Sequence, residues 1–322
     1  MKKINIAIIG GSGLVGQKII QILFEEKLFY KTNIKLFVSQ RNAGNNIEIN
    51  NHIFNLHLLD NNILKQKFDI VFFCAGEEIS KKWAEQISNN GAFVIDNSNA
   101  FRHKKNIPLI IPEINSELIN KKTKLISNPN CSTIQLAIII NLFLKISDIN
   151  QIIVSTYQSV SGAGKDALLD LENGTSKIIK EGIKNNLILK IGEIESNGFC
   201  TEENKIINEL NKILEKDISI IANTVRVPIP YCHTESVYVK FKNKINLNEI
   251  YDVLNTNYIK IDTEISQPKI VNDTNFTHIC RIRLINDKEL LFFIVADNLR
   301  RGASYNAVKI AEYLINNYII KI

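Results

Sequence analysis

The chain is predicted to be an α/β protein, with an N-terminal doubly wound, Rossmann-like parallel sheet and a second α+β domain. Its 322 residues exceed what one hydrophobic core usually serves. Strand and helix patterns alternate through the first hundred residues, which is typical of parallel βαβ sheets. Beyond about residue 150, longer strands are mixed with long helices. The two halves therefore differ in architecture.

Hydrophobic periodicity predicts the individual elements. Continuous apolar runs indicate buried strands, and apolar residues at every third or fourth position indicate helices. In the first domain these patterns predict strands at 4–9, 34–38, 69–74 and 92–95, helices at 15–24 and 77–88, and a loop in the asparagine-rich stretch 42–51. In the second part they predict strands at 151–157, 236–242, 278–285 and 290–296, helices at 165–184 and 202–215, and a terminal helix at 303–318.

Composition excludes several classes of protein. With 45% hydrophobic and 22% charged residues the chain is typical of globular proteins, and its longest apolar run, 134–144, is too short to span a bilayer. No signal peptide precedes the first strand. The net charge of +6 is dispersed, which disfavours nucleic acid and suits a small anionic substrate. Five cysteines without Cys-x-x-Cys spacing, and scattered histidines, predict a reducing cytoplasm and no metal site.

A glycine-rich turn follows the first strand. It reads Gly10-Gly11-Ser12-Gly13-Leu14-Val15-Gly16 and contains G-x-G-x-x-G between a strand and a helix. Glycines let the backbone approach a pyrophosphate, which the free N–H groups of a helix start attract. A plain tight turn is the alternative, but the flanking elements favour a dinucleotide site.

The end of the second strand indicates which dinucleotide binds. An acidic residue here would hold the ribose 2′-hydroxyl of NAD, whereas this chain has Ser39, Arg41 and Asn42. A hydroxyl and a guanidinium suit a 2′-phosphate, so NADP is favoured over NAD. The alternative is that Arg41 is a solvated loop charge.

Cys131 is the candidate nucleophile. It lies in Asn128-Pro129-Asn130-Cys131-Ser132-Thr133-Ile134-Gln135, where a strand ends and a helix begins. The dipole and unsatisfied N–H groups of a first helical turn stabilise a thiolate, and the same N–H groups could hold an oxyanion. Most cysteines are inert core residues, and this is the expectation for Cys74 and Cys280 in apolar strand-like runs.

His233 is the candidate base for this thiol. It follows Arg226 in a segment, 225–235, that two prolines keep extended before a strand. An arginine and a histidine on one rigid segment could present a carboxylate clamp and a proton shuttle to the same cleft. Such segments are also common in ordinary sheets.

Five segments together make the chain resemble the aspartate-β-semialdehyde dehydrogenase family over essentially its whole length. They are the glycine turn and the segments 128–135, 155–164, 226–235 and 297–303, which occur in family order. The resemblance implies a cytoplasmic, homodimeric, NADP-dependent oxidoreductase. Its cysteine would attack aspartyl phosphate, and reduction of the thioester would release aspartate semialdehyde for lysine, threonine, methionine and diaminopimelate biosynthesis.

The resemblance also implies roles for individual residues. Cys131 matches the nucleophile, His233 the acid–base residue and Gln158 a side chain that orients the substrate. The implied substrate contacts are Arg226 for the carboxylate, Glu202 for the amino group, Arg102 and Lys205 for phosphate, and Gln158. The implied cofactor contacts are Gly10, Gly11, Ser12, Gly13, Leu14, Val15, Ser39, Arg41 and Asn42, with Ser161, Gly162 and Asn298 at the nicotinamide end. The implied NADP-binding domain is 1–127 plus 300–322, with the C-terminal helix packed back, and the catalytic and dimerisation domain is 128–299.

Three positions depart from the family pattern. Thr224 stands where cysteine is usual, Glu77 where glycine is usual and Asn42 where serine is usual. One alternative function is an N-acetyl-γ-glutamyl-phosphate reductase, which shares the glycine turn and a cysteine at a helix start. Another is a non-catalytic dinucleotide-binding relative, against which the complete set of candidate catalytic residues argues.

Overall fold

In the computed structural model the chain forms two compact units, and residues 3–262 and 265–319 are described. The first unit comprises Met1–Pro129 with Ala303–Ile322, and the second comprises Asn130–Gly302. Residues 1–2 and 320–322 of the predicted first domain, and 263–264 of the predicted second, lie outside the described residues. No described helix is long and apolar enough to cross a bilayer.

The helices and strands run as follows. From the N-terminus come β1 (Ile4–Ile9), α1 (Leu14–Glu25), β2 (Thr32–Val38), β3 (Asn46–Ile49), β4 (His52–Leu58), β5 (Ile70–Phe73), α2 (Glu77–Asn89), β6 (Phe93–Asp96), α3 (Pro112–Asn115) and β7 (Leu125–Ser127). These are followed by α4 (Cys131–Phe143), β8 (Ile149–Gln158), α5 (Lys165–Asn173), α6 (Thr201–Leu214), β9 (Ser219–Arg226), β10 (His233–Phe241), α7 (Leu247–Leu254), β11 (Ile259–Asp262), α8 (Pro268–Val271), β12 (Thr277–Asn286), β13 (Glu289–Ala296) and α9 (Tyr305–Leu314).

The first unit is a seven-stranded sheet in the order β3-β4-β2-β1-β5-β6-β7. Neighbouring strands from β4 to β7 pair in parallel. All residues of β5 and β6 are buried, as expected for strands covered on both faces. Apolar residues of α1 and α9 join one core cluster, and Trp83 and Ile87 of α2 join another. The predicted doubly wound parallel sheet is therefore confirmed.

The prediction of a loop at 42–51 is wrong for residues 46–49, because these form β3, which pairs with β4 in an antiparallel hairpin. Ile47 and Ile49 alternate with polar residues on this edge strand. Asn50 and Asn51 turn the chain with φ values of 51° and 60°. Asparagine adopts this left-handed conformation more readily than most residues, so the asparagines that suggested a loop form the hairpin turn.

The predicted helix at 165–184 is also wrong beyond α5. Gly174 ends α5 in a left-handed conformation with φ of 68°. The buried carboxylate of Asp170 then accepts hydrogen bonds from three backbone N–H groups at 177–179. A side chain that satisfies the backbone in this way favours a compact loop over a continued helix.

The second unit contains a six-stranded mixed sheet in the order β11-β12-β13-β10-β8-β9. β8 pairs in parallel with β9 and antiparallel with β10, so the ends of these strands bring Gln158, Arg226 and His233 to one region. α4 is apolar on all sides and almost wholly buried, which is typical of a core helix. It contacts α6, β10 and β13. The predicted α+β second domain is confirmed, although β9, α7, β11 and α8 were not predicted.

Candidate active site

Asn130 caps the helix that carries Cys131. Cys131 is the first residue of α4, and Asn130 Oδ1 accepts hydrogen bonds from the N–H of Ser132 at 2.9 Å and of Thr133 at 3.3 Å. These two helix N–H groups are therefore occupied by the cap and do not form the oxyanion site that the helix start suggested. The half-buried thiol lies at the open end of α4.

The thiol of Cys131 faces the imidazole of His233. The distance from Sγ to Nε2 is 3.2 Å, and His233 is fully buried. Nδ1 accepts a hydrogen bond from the backbone N–H of Ser159 at 3.1 Å. A backbone N–H can only donate, so the single proton of the neutral imidazole lies on Nε2 and points to the sulfur.

The environment of His233 keeps the ring uncharged. Burial, together with the charge of Arg226, lowers its pKa from 6.5 to about 3, while the charge of Glu202 acts in the opposite direction. At physiological pH the ring is neutral. His233 is therefore placed to donate a hydrogen bond to a Cys131 thiolate through Nε2.

A buried hydrogen-bonded network holds the loop around this imidazole. Ser159 Oγ lies 3.2 Å from His233 Nδ1 and donates to Asn298 Oδ1 at 3.0 Å. Asn298 Nδ2 donates to Ser161 Oγ at 3.0 Å. A Cβ at the exposed Gly162 would lie 3.0 Å from Nη1 of Arg226 and 3.4 Å from Cε1 of His233. The three residues predicted at the nicotinamide end thus adjoin the histidine and the arginine.

Glu202 is the centre of a second polar group. It lies in the first turn of α6, and its Oε1 accepts hydrogen bonds from Asn130 Nδ2 at 2.8 Å and Gln158 Nε2 at 3.2 Å. Its Oε2 lies 3.1 Å from Lys205 Nζ. Burial by itself would raise the pKa of Glu202, but the charge of Lys205, the hydrogen bonds from Asn130 and Lys205 and the charge of Arg226 outweigh it and lower the pKa from 4.5 to about 2. Glu202 is therefore a buried, ionised carboxylate.

Arg226 ends β9 beside Gln158 of β8. Its side chain is 8% exposed, and Nη1 donates to the carbonyl oxygen of Ser159 at 2.7 Å. Within the described part of the chain, Nε and Nη2 make no hydrogen bond. The Arg226 guanidinium therefore has donors beside the thiol that can bind a carboxylate in a bidentate pair.

Asn130 and three further residues build this site and were not predicted. Glu209 Oε2 accepts the backbone N–H of Asn130 at 2.7 Å. Gly302 packs closely against Cys131, since a Cβ there would lie 2.9 Å from Cys131 Cβ and 3.2 Å from its Cα. Ser159 orients the imidazole. The position of Asn130 immediately before a helix could have identified it as a cap, but no local pattern marks the other three.

The other cysteines of the second unit are poor nucleophiles. Burial, with the charge of Asp297, raises the pKa of Cys232, which is fully buried. Burial also raises the pKa of Cys280. Cys200 lies 3.2 Å from Thr224 Oγ1, so the departure at Thr224 is accommodated by a neighbouring thiol. Cys131 is thus the half-buried thiol of this unit.

The glycine turn of the first unit connects β1 to α1. Gly10 has φ of 83°, and a Cβ on it would lie 2.6 Å from the carbonyl oxygen of Cys74. A Cβ on Gly16 would lie 2.6 Å from the carbonyl oxygen of Gly10. No side chain caps the first turn of α1. The turn is therefore a backbone cradle of the kind that fits a pyrophosphate.

A cavity of about 520 Å³ adjoins this turn. It is lined by Ile9, Gly10, Ser12, Gly13, Phe37, Val38, Ser39, Gln40, Asn42, Leu58, Leu59, Cys74, Ala75, Ile79, Lys82 and Trp83. Gly11, Leu14 and Val15 belong to the turn and the start of α1 without lining the cavity. Arg41 is exposed and also lies outside the lining. A large apolar cavity with a few polar groups suits an adenosine moiety.

Arg102 belongs to the first unit and is not a solvated loop cation. It is 6% exposed, and its Nε donates to the carbonyl oxygen of Asn128 at 3.0 Å. Its Nη2 donates to the carbonyl oxygen of Asn97 at 2.8 Å. These carbonyls follow β7 and β6, so the guanidinium is fixed at the carboxyl ends of two parallel strands.

Comparison with known proteins gives the same result for both units. The family model described as "Semialdehyde dehydrogenase, NAD binding domain" matches residues 5–122, and "Semialdehyde dehydrogenase, dimerisation domain" matches residues 141–301. Aspartate-semialdehyde dehydrogenase from Helicobacter pylori is 37% identical and covers 98% of this chain and 100% of its own length. The chain belongs to the aspartate-semialdehyde dehydrogenase family. The corresponding protein from Campylobacter jejuni is 35% identical over 97% of each chain.

Solved structures of this family share the fold. Aspartate semialdehyde dehydrogenase II from Vibrio cholerae, in complex with ASA, has a TM-score of 0.91 and 32% identity over 99% of this chain and 100% of its own. The Candida albicans enzyme with NADP has a TM-score of 0.78 at 20% identity, covering 99% of this chain and 100% of its own, which shows the fold alone. The predicted family and oxidoreductase class are confirmed. The alternatives lose support, because these full-length relatives are aspartate-semialdehyde dehydrogenases.

Proposed function

We propose that this enzyme catalyses the NADPH-dependent reductive dephosphorylation of L-aspartyl-4-phosphate to L-aspartate-4-semialdehyde. The observation that carries the proposal is the 3.2 Å contact between Cys131 Sγ and His233 Nε2 at the start of α4. The relatives' shared name and the ASA complex of the Vibrio cholerae protein support the substrate. The product would enter the biosynthesis of lysine, threonine, methionine and diaminopimelate.

The first unit would hold the cofactor. Residues 1–127 plus 300–322 form the proposed NADP-binding domain, in which the glycine turn lies against the pyrophosphate and Ser39, Arg41 and Asn42 lie near the adenosine ribose. Ser161, Gly162 and Asn298 of the proposed catalytic domain, 128–299, lie at the nicotinamide end. When bound, NADPH supplies the hydride that reduces the acyl group.

The Cys131 thiolate would open the reaction. Its sulfur forms a bond to the acyl carbon of aspartyl phosphate as the bond from that carbon to the phosphate oxygen breaks, and phosphate leaves with the electron pair. His233 Nε2–H donates to the thiolate before attack, which favours the reactive ionised form. The product of this step is an acyl-thioester on Cys131.

His233 would then act as a hydrogen-bond donor to oxygen and sulfur. Reduction of the thioester leaves negative charge on the former carbonyl oxygen, and this charge expels the thiolate as the aldehyde forms. The departing sulfur meets Nε2–H again, so no proton has to be placed on it. In this proposal His233 acts as a donor through Nε2 and not as the acid–base residue that the family resemblance implies, because Nδ1 accepts the Ser159 N–H.

The charged residues around the thiol suit an amino acid substrate. The ionised Glu202 would bind the ammonium group, and Arg226 would bind the α-carboxylate. Gln158, held by Glu202, would orient the reacting group. Arg102 and Lys205 would contact the phosphate. Each contact pairs a substrate charge with an opposite charge or a donor.

We also propose a cytoplasmic homodimer. The dimerisation model matches residues 141–301, and the second sheet exposes apolar side chains on one face. Tyr157 of β8 and Ile221 of β9 are each 40% exposed there. A second copy of the chain would cover this face. Among the described residues the five cysteines form no disulfide, in keeping with a reducing compartment.

One spectrophotometric assay tests the proposed reaction. Aspartate semialdehyde, NADP and phosphate or arsenate should give NADPH, whereas N-acetylglutamate semialdehyde should give little. The pKa of His233 is about 3, so the rate should not report a histidine titration between pH 5 and pH 8. Faster turnover of the N-acetylated substrate would instead establish the reductase alternative.

A further inference from the structure

We propose that Lys82 recognises the 2′-phosphate of NADP and is the main determinant of the preference for NADP over NAD. Ser39 and Asn42 would assist it, and Arg41 would contribute less. The inference rests on the proposed function, because it concerns the cofactor of that reaction. It deepens that function by naming a residue to which no sequence motif pointed.

Lys82 lies where a charge can act on an adenosine. It belongs to the second turn of α2 and lines the cavity of about 520 Å³ beside the glycine turn. Ser39, Gln40 and Asn42, at the end of β2, line the same cavity. In a doubly wound fold the adenosine ribose lies at the end of the second strand. A ligand that fills this cavity would therefore meet both the end of β2 and the Lys82 side chain.

The charge of Lys82 is available to a ligand. Within the described residues no carboxylate forms a salt bridge with it, and its Nζ lies 5.1 Å from the ring centroid of Trp83. Trp83 is 4% exposed and lines the same cavity. A cation over an aromatic ring stays near that ring while keeping its hydrogen-bond donors free. The neighbouring Lys81 differs, since its Nζ is paired with Glu77 Oε1 at 2.6 Å.

Lys82 supplies the positive charge of the cavity wall. Among the residues described as lining the cavity there is no Asp, Glu or Arg, and Lys82 is the one basic side chain. Arg41 and Lys82 are both exposed, but Arg41 lies outside the lining. Asn42 Nδ2 lies 3.4 Å from Ser12 Oγ, so the loop after β2 is held towards the glycine turn. A phosphate dianion in the cavity would thus find an unpaired ammonium and no carboxylate to repel it.

Trp83 makes binding directly measurable, because it is the only tryptophan of the chain. Its fluorescence should change as NADP or NAD is titrated, with isothermal calorimetry as an independent check. Lys82→Ala should weaken NADP binding by on the order of tenfold to a hundredfold and leave NAD binding nearly unchanged. Lys81→Ala is the matched control on the same helix and should alter neither affinity. Arg41→Ala should weaken NADP binding by less than Lys82→Ala.

The outcomes separate this inference from the proposed function. Equal loss of NADP and NAD affinity in Lys82→Ala, no loss at all, or a larger loss in Arg41→Ala would overturn the assignment of Lys82 while leaving an NADP enzyme. Failure of the unmodified protein to bind either dinucleotide would instead refute the proposed function. If Lys82→Arg kept the NADP selectivity that Lys82→Ala loses, a charge contact with the phosphate would be supported.

Discussion

The two loops at 10–13 and 128–131 each lead from a parallel strand into a helix, but they differ in what they present. The first is almost bare of side chains, and its glycines lie against neighbouring backbone. The second ends in a capped helix start, where Cys131 faces a neutral histidine and a buried arginine. A pyrophosphate is bound by backbone N–H groups, which requires close approach. Bond formation instead requires side chains of defined protonation. In the second loop the N–H groups of Ser132 and Thr133 are bonded to the Asn130 cap, and the reactive group is the thiol of Cys131.

Two buried glutamates of the second unit also differ, in this case in their charge. Glu202 is ionised because the charge of Lys205 and the hydrogen bond from Asn130 offset its burial. Glu235, two residues after His233 on β10, is fully buried, and burial raises its pKa well above 4.5, while Gln135 acts in the opposite direction. Its oxygens make no hydrogen bond of normal geometry among the described residues. A buried carboxyl group is therefore charged only where partners compensate for lost hydration.

The largest expected effect separates the two loops. Cys131→Ser should reduce turnover more than about a hundredfold, because a serine hydroxyl does not ionise near neutral pH. NADP affinity, followed by Trp83 fluorescence, should stay within about twofold of the unmodified enzyme. Activity above about a hundredth of the original would move the nucleophile elsewhere, and the buried Cys232 would be the next thiol to replace.

Arg226→Lys should have the next largest effect. The charge is kept, but a lysine cannot make a bidentate pair with a carboxylate, so kcat/KM should fall by about 2–3 kcal/mol, or roughly 30- to 150-fold. Steady-state kinetics with aspartate semialdehyde measures this loss. If the lysine variant matched the unmodified enzyme and only Arg226→Ala were impaired, the arginine would attract the substrate without clamping it.

Two glycines test the backbone cradle against a matched control. Gly10 and Gly44 both have φ of 83°, but a Cβ on Gly10 would meet Cys74 O at 2.6 Å, whereas a Cβ on Gly44 would meet nothing within 4 Å. Gly44→Ala should cost about 1 kcal/mol of stability from the left-handed backbone alone. Gly10→Ala should cost more and should weaken NADP binding about tenfold or further. Equal effects in unfolding and fluorescence titrations would mean that close approach is unimportant.

The smallest effects concern the two buried glutamates and have opposite dependence on pH. The folded pKa of Glu202 lies below its unfolded value of 4.5, so Glu202 stabilises the fold above pH 4.5, and that stabilisation is lost as pH falls towards about 2. Glu202→Gln should therefore be less stable than the unmodified protein at pH 7, with the difference shrinking in acid.

For Glu235 the folded pKa lies above 4.5, so the unfolded chain releases a proton that the folded chain keeps, and the fold loses stability as pH rises above 4.5. Glu235→Gln should match the unmodified protein near pH 4 and exceed its stability at pH 8. Denaturant unfolding over this pH range measures both differences. Parallel pH dependence of the two variants would contradict the assigned charge states.

Local sequence patterns predicted most strands and helices of the first unit, and in the second unit they predicted the helix start at Cys131. The strand at 4–9, the glycine turn and the helix start at Cys131 each depend on residues adjacent in the chain, so their period and composition identify them. The hairpin at 46–58 and the end of α5 were missed, because asparagine and aspartate can satisfy the backbone in more than one conformation. The sequence favoured Arg41 as the cofactor cation, which stays a prediction, and it did not point to Lys82, which lines the cavity.

The protonation of the site depends on contacts between residues far apart in the chain. The Ser159 N–H, 74 positions before His233, determines which ring nitrogen carries the proton. Asn130 donates to Glu202, which lies 72 positions further along the chain. No local pattern encodes such pairs, because burial and hydrogen bonding act through space and exist only once strands and helices have packed. The residue types available for chemistry can thus be recognised along the chain, but their charge states and partners follow from the folded arrangement, where lost hydration must be compensated by specific neighbours.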